Sequence, residues 1–141
     1  AQGIAVYRAF GSWVAQVAEV SRHGDSVRVE RVVCAIDCGT VVNPHQVRAQ
    51  VEGAVAMGVS AALKEAVTLA DGRVTQSTFG DYPILTFGEM PRVELVIVDS
   101  DEPPGGVGEP GLLPVAPAVA NAVYALTGQR LRQLPLRPDL Q

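Results

Sequence analysis

Ser26-Val27-Arg28-Val29-Glu30-Arg31-Val32-Val33-Cys34-Ala35-Ile36 changes pattern midway. Val27 and Val29 alternate with Arg28 and Glu30, the period of two that a half-buried strand requires. From Arg31 the alternation gives way to a continuous apolar run. A bulge at Glu30-Arg31, or burial of both faces, accounts for the slip. Upstream, Gly11 to Val20 is rich in small and apolar residues and ends near Ser21-Arg22-His23-Gly24-Asp25. The two segments read as a hairpin with a longer turn. Gly3 to Phe10 is a further strand-like run.

Downstream the period changes. Asn43-Pro44 is a helix start, with Asn as N-cap and Pro at the first helical position. The helix is expected to reach Leu63 or Lys64, with Val47, Val51, Ala54, Val55 and Ala62 as its apolar stripe. Gly53 and Gly58 each cost about 1 kcal/mol against Ala in a helix interior, so they imply close approach of a ligand or another backbone, or tight packing on a sheet. Asp71-Gly72 marks a hairpin turn between 66–70 and 73–79. Arg92 to Asp99 is a strand with Val93, Leu95 and Ile97 on one face, ended by Pro103-Pro104-Gly105-Gly106. A second helix is expected from about Pro114 to Thr127, with Val115, Val119, Ala122, Val123 and Leu126 inward and Gly128 closing it. Pro117 is tolerated in its first turn. Leu134-Pro135-Leu136-Arg137-Pro138 reads as extended and loosely held. There is no internal repeat. The expected fold is α+β: residues 1–141 as a single domain, a mixed or antiparallel sheet with two main helices packed on it.

Composition narrows the function classes. With 48% hydrophobic and 18% charged residues there is material for a core. The formal net charge is −4, and Arg130-Leu131-Arg132 with Arg137 is the one basic cluster. That argues against nucleic acid as a partner. No apolar run approaches the ~18 residues of a membrane helix, and no signal-peptide pattern opens the chain. On a strand Cys34 and Cys38 lie ~13 Å apart at ~3.3 Å per residue, too far for a disulfide. Without Cys-x-x-Cys, an iron–sulfur cluster inside this chain is not expected. His23 and His45 stand alone and read as turn or helix-start residues. Phe10 and Trp13 read as core or interface residues.

One loop points to chemistry. Gly105-Gly106-Val107-Gly108-Glu109-Pro110-Gly111 sets a carboxylate among glycines, which permit close approach. Pro110 pushes Glu109 away from helical backbone. Such a turn aims an acid in one direction, as a general base requires; from spacing alone a solvated acidic loop is the commoner meaning of the pattern.

Several segments in order resemble one family. GGVGEPG at 105–111 is similar to the loop near the C-terminus of the large subunit of molybdenum hydroxylases, the xanthine dehydrogenase and aldehyde oxidase family. Asp37-Cys38-Gly39 with Val42-Asn43-Pro44, Gln50-Val51-Glu52-Gly53, Phe79-Gly80-Asp81-Tyr82-Pro83 and Pro117-Ala118-Val119-Ala120-Asn121-Ala122 resemble its other motifs. Val74-Thr75-Gln76-Ser77, Glu89-Met90-Pro91 and Ser100-Asp101-Glu102-Pro103 resemble the isoquinoline 1-oxidoreductase and membrane-associated aldehyde dehydrogenase subgroup.

The resemblance implies that residues 1–141 are the C-terminal part of a longer molybdopterin-binding subunit. It implies hydroxylation of N-heteroaromatics or aldehydes with water-derived oxygen, Glu109 being the base. Gln50 would then contact the pterin through its amide, Gly53 would admit the cofactor, and Gly106 and Gly108 would meet it through loop backbone. The cofactor's nucleotide form, including the cytosine dinucleotide, stays open. [2Fe-2S] clusters are implied on a separate small subunit; the location, bacterial periplasm or cytoplasm, stays open, with the subgroup resemblance favouring the periplasm. Asp37 is expected to bind backbone amides in the turn to Gly39, and Glu52 to be solvated or capping; no chemistry is assigned to Asp37, Glu52, Glu65 or Asp81. The isolated chain is expected to be inactive and, with a partner-facing surface open, to self-associate. The alternative is a non-catalytic domain that supports assembly of such a complex.

Overall fold

The computed structural model describes residues 1–140. Three strands open the chain: β1 (Gln2–Ala9), β2 (Ser12–His23) and β3 (Ser26–Asp37). They form an antiparallel meander. Phe10 and Gly11 make the first turn with φ of 53° and 80°, as a two-residue turn between twisted strands demands. The second turn is also tight. His23 pairs with Ser26, and Gly24 takes φ 60°, so the longer turn expected from the polar run shortens to Gly24-Asp25. Polar residues 21–23 belong to the strand because its end projects beyond the core, where Arg22 and His23 stay exposed.

The phase slip in β3 is a bulge. Glu19 pairs with Arg31 and Val20 with Val29, which leaves Glu30 without an opposite number. One extra residue moves the inward set from Val27 and Val29 to Val32, Cys34 and Ile36, all buried.

Helix α1 (Pro44–Leu63) follows, capped by Asn43 Oδ1, which accepts from His45 N (3.0 Å) and Gln46 N (3.4 Å). Its whole expected stripe is buried. A hairpin of β4 (Leu69–Ala70) and β5 (Arg73–Val74) turns at Asp71-Gly72. A short 3₁₀ turn, Phe87–Glu89, leads into β6 (Arg92–Ile97), which pairs parallel to β3. The sheet order is β1-β2-β3-β6, a mixed sheet. Helix α2 (Val115–Thr127) ends at Gly128 with φ 74°. Both helices cover the same sheet face and enclose one core of Val, Ala, Cys and Ile side chains.

Two local expectations are corrected and a third is narrowed. Gly58 packs against α2 rather than the sheet: a Cβ there would lie 2.6 Å from Val115 Cγ2. The C-terminal tail is held. Leu136 and Leu140 are buried, Leu136 N donates to Ala62 O at 2.7 Å, and Asp139 N donates to Gln129 Oε1 at 2.9 Å. Two leucines supply enough apolar surface to dock a segment that proline keeps out of regular structure. Phe10 and Trp13 are 64% and 52% exposed, so neither is core. Trp13 lies on the uncovered sheet face with Ile4, Val6 and Val96, and the Arg8 guanidinium sits 5.3 Å above its ring.

Carboxylates tie the elements together at the surface. Arg31 donates to both oxygens of Glu19 (2.7 and 2.8 Å) and of Glu94 (3.2 Å each), bridging β2, β3 and β6. Lys64 Nζ meets Glu89 Oε2 at 2.5 Å, and Thr86 donates to the same oxygen. The Arg31 hydrogen bonds, with one from Gln2, hold Glu19 down to about 2. Lys64, then Thr86, hold Glu89 down to about 2. A depressed folded-state value means that between about 2 and the ordinary ~4.3 the unfolded chain binds more protons. Stability therefore rises with pH across that window and is lost as pH falls through it. Urea midpoints measured from pH 2.5 to 5 should climb in the wild type and climb less in Glu19→Gln/Glu89→Gln. Parallel profiles would show that these pairs do not stabilise the fold.

Candidate functional site

Segment 100–111 crosses from the end of β6 to the start of α2 and is tied down along its length. Asp37 Oδ1 accepts from Gly39 N at 3.1 Å, the expected turn contact. That turn places Gly39 at φ 68° against the loop, where a Cβ would lie 2.2 Å from Pro103 O. Thr40 N donates to Glu102 O (2.9 Å) and Gly105 N to Cys38 O (2.8 Å). The Asp37-Cys38-Gly39 and Ser100–Pro103 motifs, far apart in sequence, are thus two halves of one joint.

Beyond the joint the loop lies over the start of β2. Gly106 N donates to Phe10 O at 2.8 Å, and Ser12 Oγ donates to Gly106 O at 2.6 Å. At the far end Gln16 Nε2 donates to Gly111 O at 2.6 Å. Gly111 rests on α1, where a Cβ would lie 3.1 Å from Ala54 Cβ and 3.5 Å from Val51 Cα. Leu112 N donates to Glu109 O at 2.9 Å, closing the turn that carries the glutamate.

This route brings Gln50 to Gly108. A Cβ on Gly108 would lie 3.6 Å from Gln50 Nε2. Glu109 follows directly in the chain, and Gly53 sits one helical turn beyond Gln50 on α1. Gln50, Gly53 and Glu109 are exposed, and nothing within 4 Å would meet a Cβ on Gly53. Gly106 stands apart from this corner. Its N–H and carbonyl are both taken by the chain, and a Cβ there would meet Phe10 Cβ at 2.8 Å. Its lack of a side chain serves the loop's own seating on β2.

The other candidate acids are spoken for. Asp81 accepts from Ser77 N (2.8 Å), Thr78 N (2.8 Å) and Ser77 Oγ (3.0 Å), and those backbone donors push its carboxyl below the ordinary range. Glu65 accepts from Tyr82 Oη at 3.0 Å, which pushes the phenol up. Glu52 faces Arg48 at 3.7 Å. Among the described residues no donor reaches the Glu109 carboxylate. No group of three His, Cys, Asp or Glu among them is placed to hold a metal ion. Cys34 and Cys38 are both free and buried, and burial pushes both thiols up.

Sequence reasoning missed Ser12 and Gln16, 0% and 1% exposed. The signal was present: both fall in phase with Val14, Ala18 and Val20, the inward face of β2.

A family model described as "Molybdopterin cofactor-binding domain" matches residues 2–91. The beta chain of isoquinoline 1-oxidoreductase from Brevundimonas diminuta is 42% identical over 99% of this chain and 18% of its own length. A nicotinate dehydrogenase subunit of Pseudomonas putida is 43% identical over 93% of this chain and 11% of its own. The crystal structure of the aldehyde oxidoreductase from Desulfovibrio desulfuricans superposes with a TM-score of 0.76 at 31% identity, over 88% of this chain and 14% of that one. The chain thus spans less than a fifth of the length of these relatives.

Proposed function

The chain belongs to the molybdopterin cofactor-binding domain family, and on that premise we propose that it forms one wall of a molybdenum cofactor site, with Glu109 as the general base. The observation that carries this reading is the carboxylate itself: unlike Asp37, Glu52, Glu65 and Asp81, Glu109 has no partner among the described residues, and its loop is anchored on both sides of it. The corner fits a group arriving from outside. Among the described residues the Gln50 side-chain amide and the Gly108 N–H have no hydrogen-bond partner, and nothing lies within 4 Å of a Cβ on Gly53.

When bound, the cofactor would supply the water-derived oxygen and take up the hydrogen and electron pair of the carbon–hydrogen bond that breaks. The protein's own part is positional and acid–base. Gln50 and Gly108 hold the pterin edge by hydrogen bonds, and Gly53 permits its approach. Glu109 accepts the proton released as the carbon–oxygen bond forms. Covering the corner with the rest of the large polypeptide excludes water and strengthens each of these contacts.

The substrates proposed are N-heteroaromatic rings or aldehydes, in keeping with the names of the relatives. The partners proposed are the remainder of a large subunit and a small [2Fe-2S] subunit that carries electrons away. The cytosine dinucleotide form of the cofactor and a periplasmic location complete the proposal. The complete enzyme should oxidise isoquinoline, nicotinate or benzaldehyde, and the heteroaromatic product formed in H₂¹⁸O should carry the label. Failure to oxidise any of them, or an unlabelled product, would overturn the reading and favour a supporting domain without chemistry. In the same enzyme Gln50→Ala should fold normally yet retain less molybdopterin; full retention at wild-type affinity would remove Gln50 from the site.

A further inference from the structure

We infer that Ser12 and Gln16 are positioning residues that set the place of the Glu109 carboxylate, an inference that rests on the proposed role of Glu109. Ser12, Gln16 and Ser60 are the buried polar side chains among the described residues. Burying a hydroxyl or an amide is costly without a partner. Here Ser12 and Gln16 both spend their donors on one loop. Ser12 Oγ holds the carbonyl of Gly106, three residues before Glu109, and Gln16 Nε2 holds that of Gly111, two residues after it, each at 2.6 Å.

The two side chains sit four residues apart on the inward face of β2, so their spacing is that of a rigid strand, ~13 Å at ~3.3 Å per residue. The strand is central: β1 and β3 hydrogen-bond to its two edges. A glycine-rich segment with no regular structure of its own is therefore gripped at both ends by a strand that is itself paired on both edges. Glu109 lies between the grips with no side-chain bond to any described residue, so the clamps, rather than a contact at the carboxylate, fix where it points. Gln16 Nε2 also reaches Cys34 Sγ at 3.6 Å, so its amide is fixed from the neighbouring strand as well.

A base displaced by about 1 Å loses on the order of 10²-fold in rate. The test uses the complete large subunit with its iron–sulfur partner and isoquinoline as substrate, in a double-mutant cycle with Glu109→Gln. Gln16→Met keeps side-chain length and removes the donor. It should lower kcat about 10- to 100-fold with KM and molybdenum content unchanged, and should not lower further the single-turnover rate of Glu109→Gln. Ser12→Ala, which deletes one hydroxyl, should behave the same way at smaller amplitude and carries the test if Gln16→Met does not assemble. Unchanged kcat in both variants, an equal loss in both backgrounds, or loss of molybdenum would overturn the positioning role while leaving Glu109 in place. Wild-type turnover by Glu109→Gln itself would instead remove the base, and this inference with it.

Discussion

Gly39→Ala should destabilise the chain by about 3 kcal/mol, whereas Gly72→Ala should cost only about 1. Both glycines have positive φ, 68° and 75°, where a Cβ costs about 1–2 kcal/mol. The difference lies in what surrounds them. At Gly72 nothing lies within 4 Å of a Cβ; at Gly39 the carbonyl oxygens of Pro103 and Glu102 would lie at 2.2 and 2.6 Å. Those are backbone atoms of a segment held by Thr40 and Gly105, so they cannot rotate away as a side chain would. Overpacking of this kind adds about 1–3 kcal/mol. Urea unfolding of both variants measures the contrast. Equal losses would mean that the Gly39 turn does not support the loop, and the account of how Glu109 is mounted would lose its base.

That joint illustrates what a single sequence shows and what it hides. Asn43-Pro44, the stripe of α1, and Gly128 after α2 act within a few residues of themselves, and each stands where local rules put it. The phase slip at Glu30-Arg31 is likewise local and is a bulge. Pairings across the chain are not local. That β6 runs parallel beside β3, or that Gly58 meets α2 rather than the sheet, depends on which surfaces meet in space. The tail looked loose because proline breaks regular hydrogen bonding, but Leu136 and Leu140 decide its fate by burial.

The site divides the same way. The GVGE resemblance singled out Glu109, and periodicity put Gln50 and Gly53 on one helix. That the loop carries Gly108 to Gln50 could not be read from spacing. Ser12 and Gln16 escaped notice because alanines on both faces of β2 blur its period of two. Once the strand is in register, two polar side chains stand in an otherwise apolar row.

The second large effect is expected at the glutamate. Glu109→Gln keeps the size and shape of the side chain and replaces a proton acceptor by a neutral amide. No group among the described residues bonds to the Glu109 carboxylate, so the substitution breaks no internal contact there and should leave folding and cofactor content unaltered. General-base catalysis contributes about 10²- to 10⁴-fold, which corresponds to about 3–5 kcal/mol of barrier. Turnover of the complete enzyme should fall by that factor, while variants at Glu52 or Glu65, whose carboxylates serve Arg48 and Tyr82, should retain it.

The most direct measurement is anaerobic reduction of the complete enzyme by isoquinoline in a single turnover, comparing wild type with Glu109→Gln at equal molybdenum content. This isolates the chemical step from electron transfer to an outside acceptor. The account predicts reduction slowed by about 10²- to 10⁴-fold in the variant. Reduction at the wild-type rate would contradict it and leave Glu109 a surface acid on a well-anchored loop.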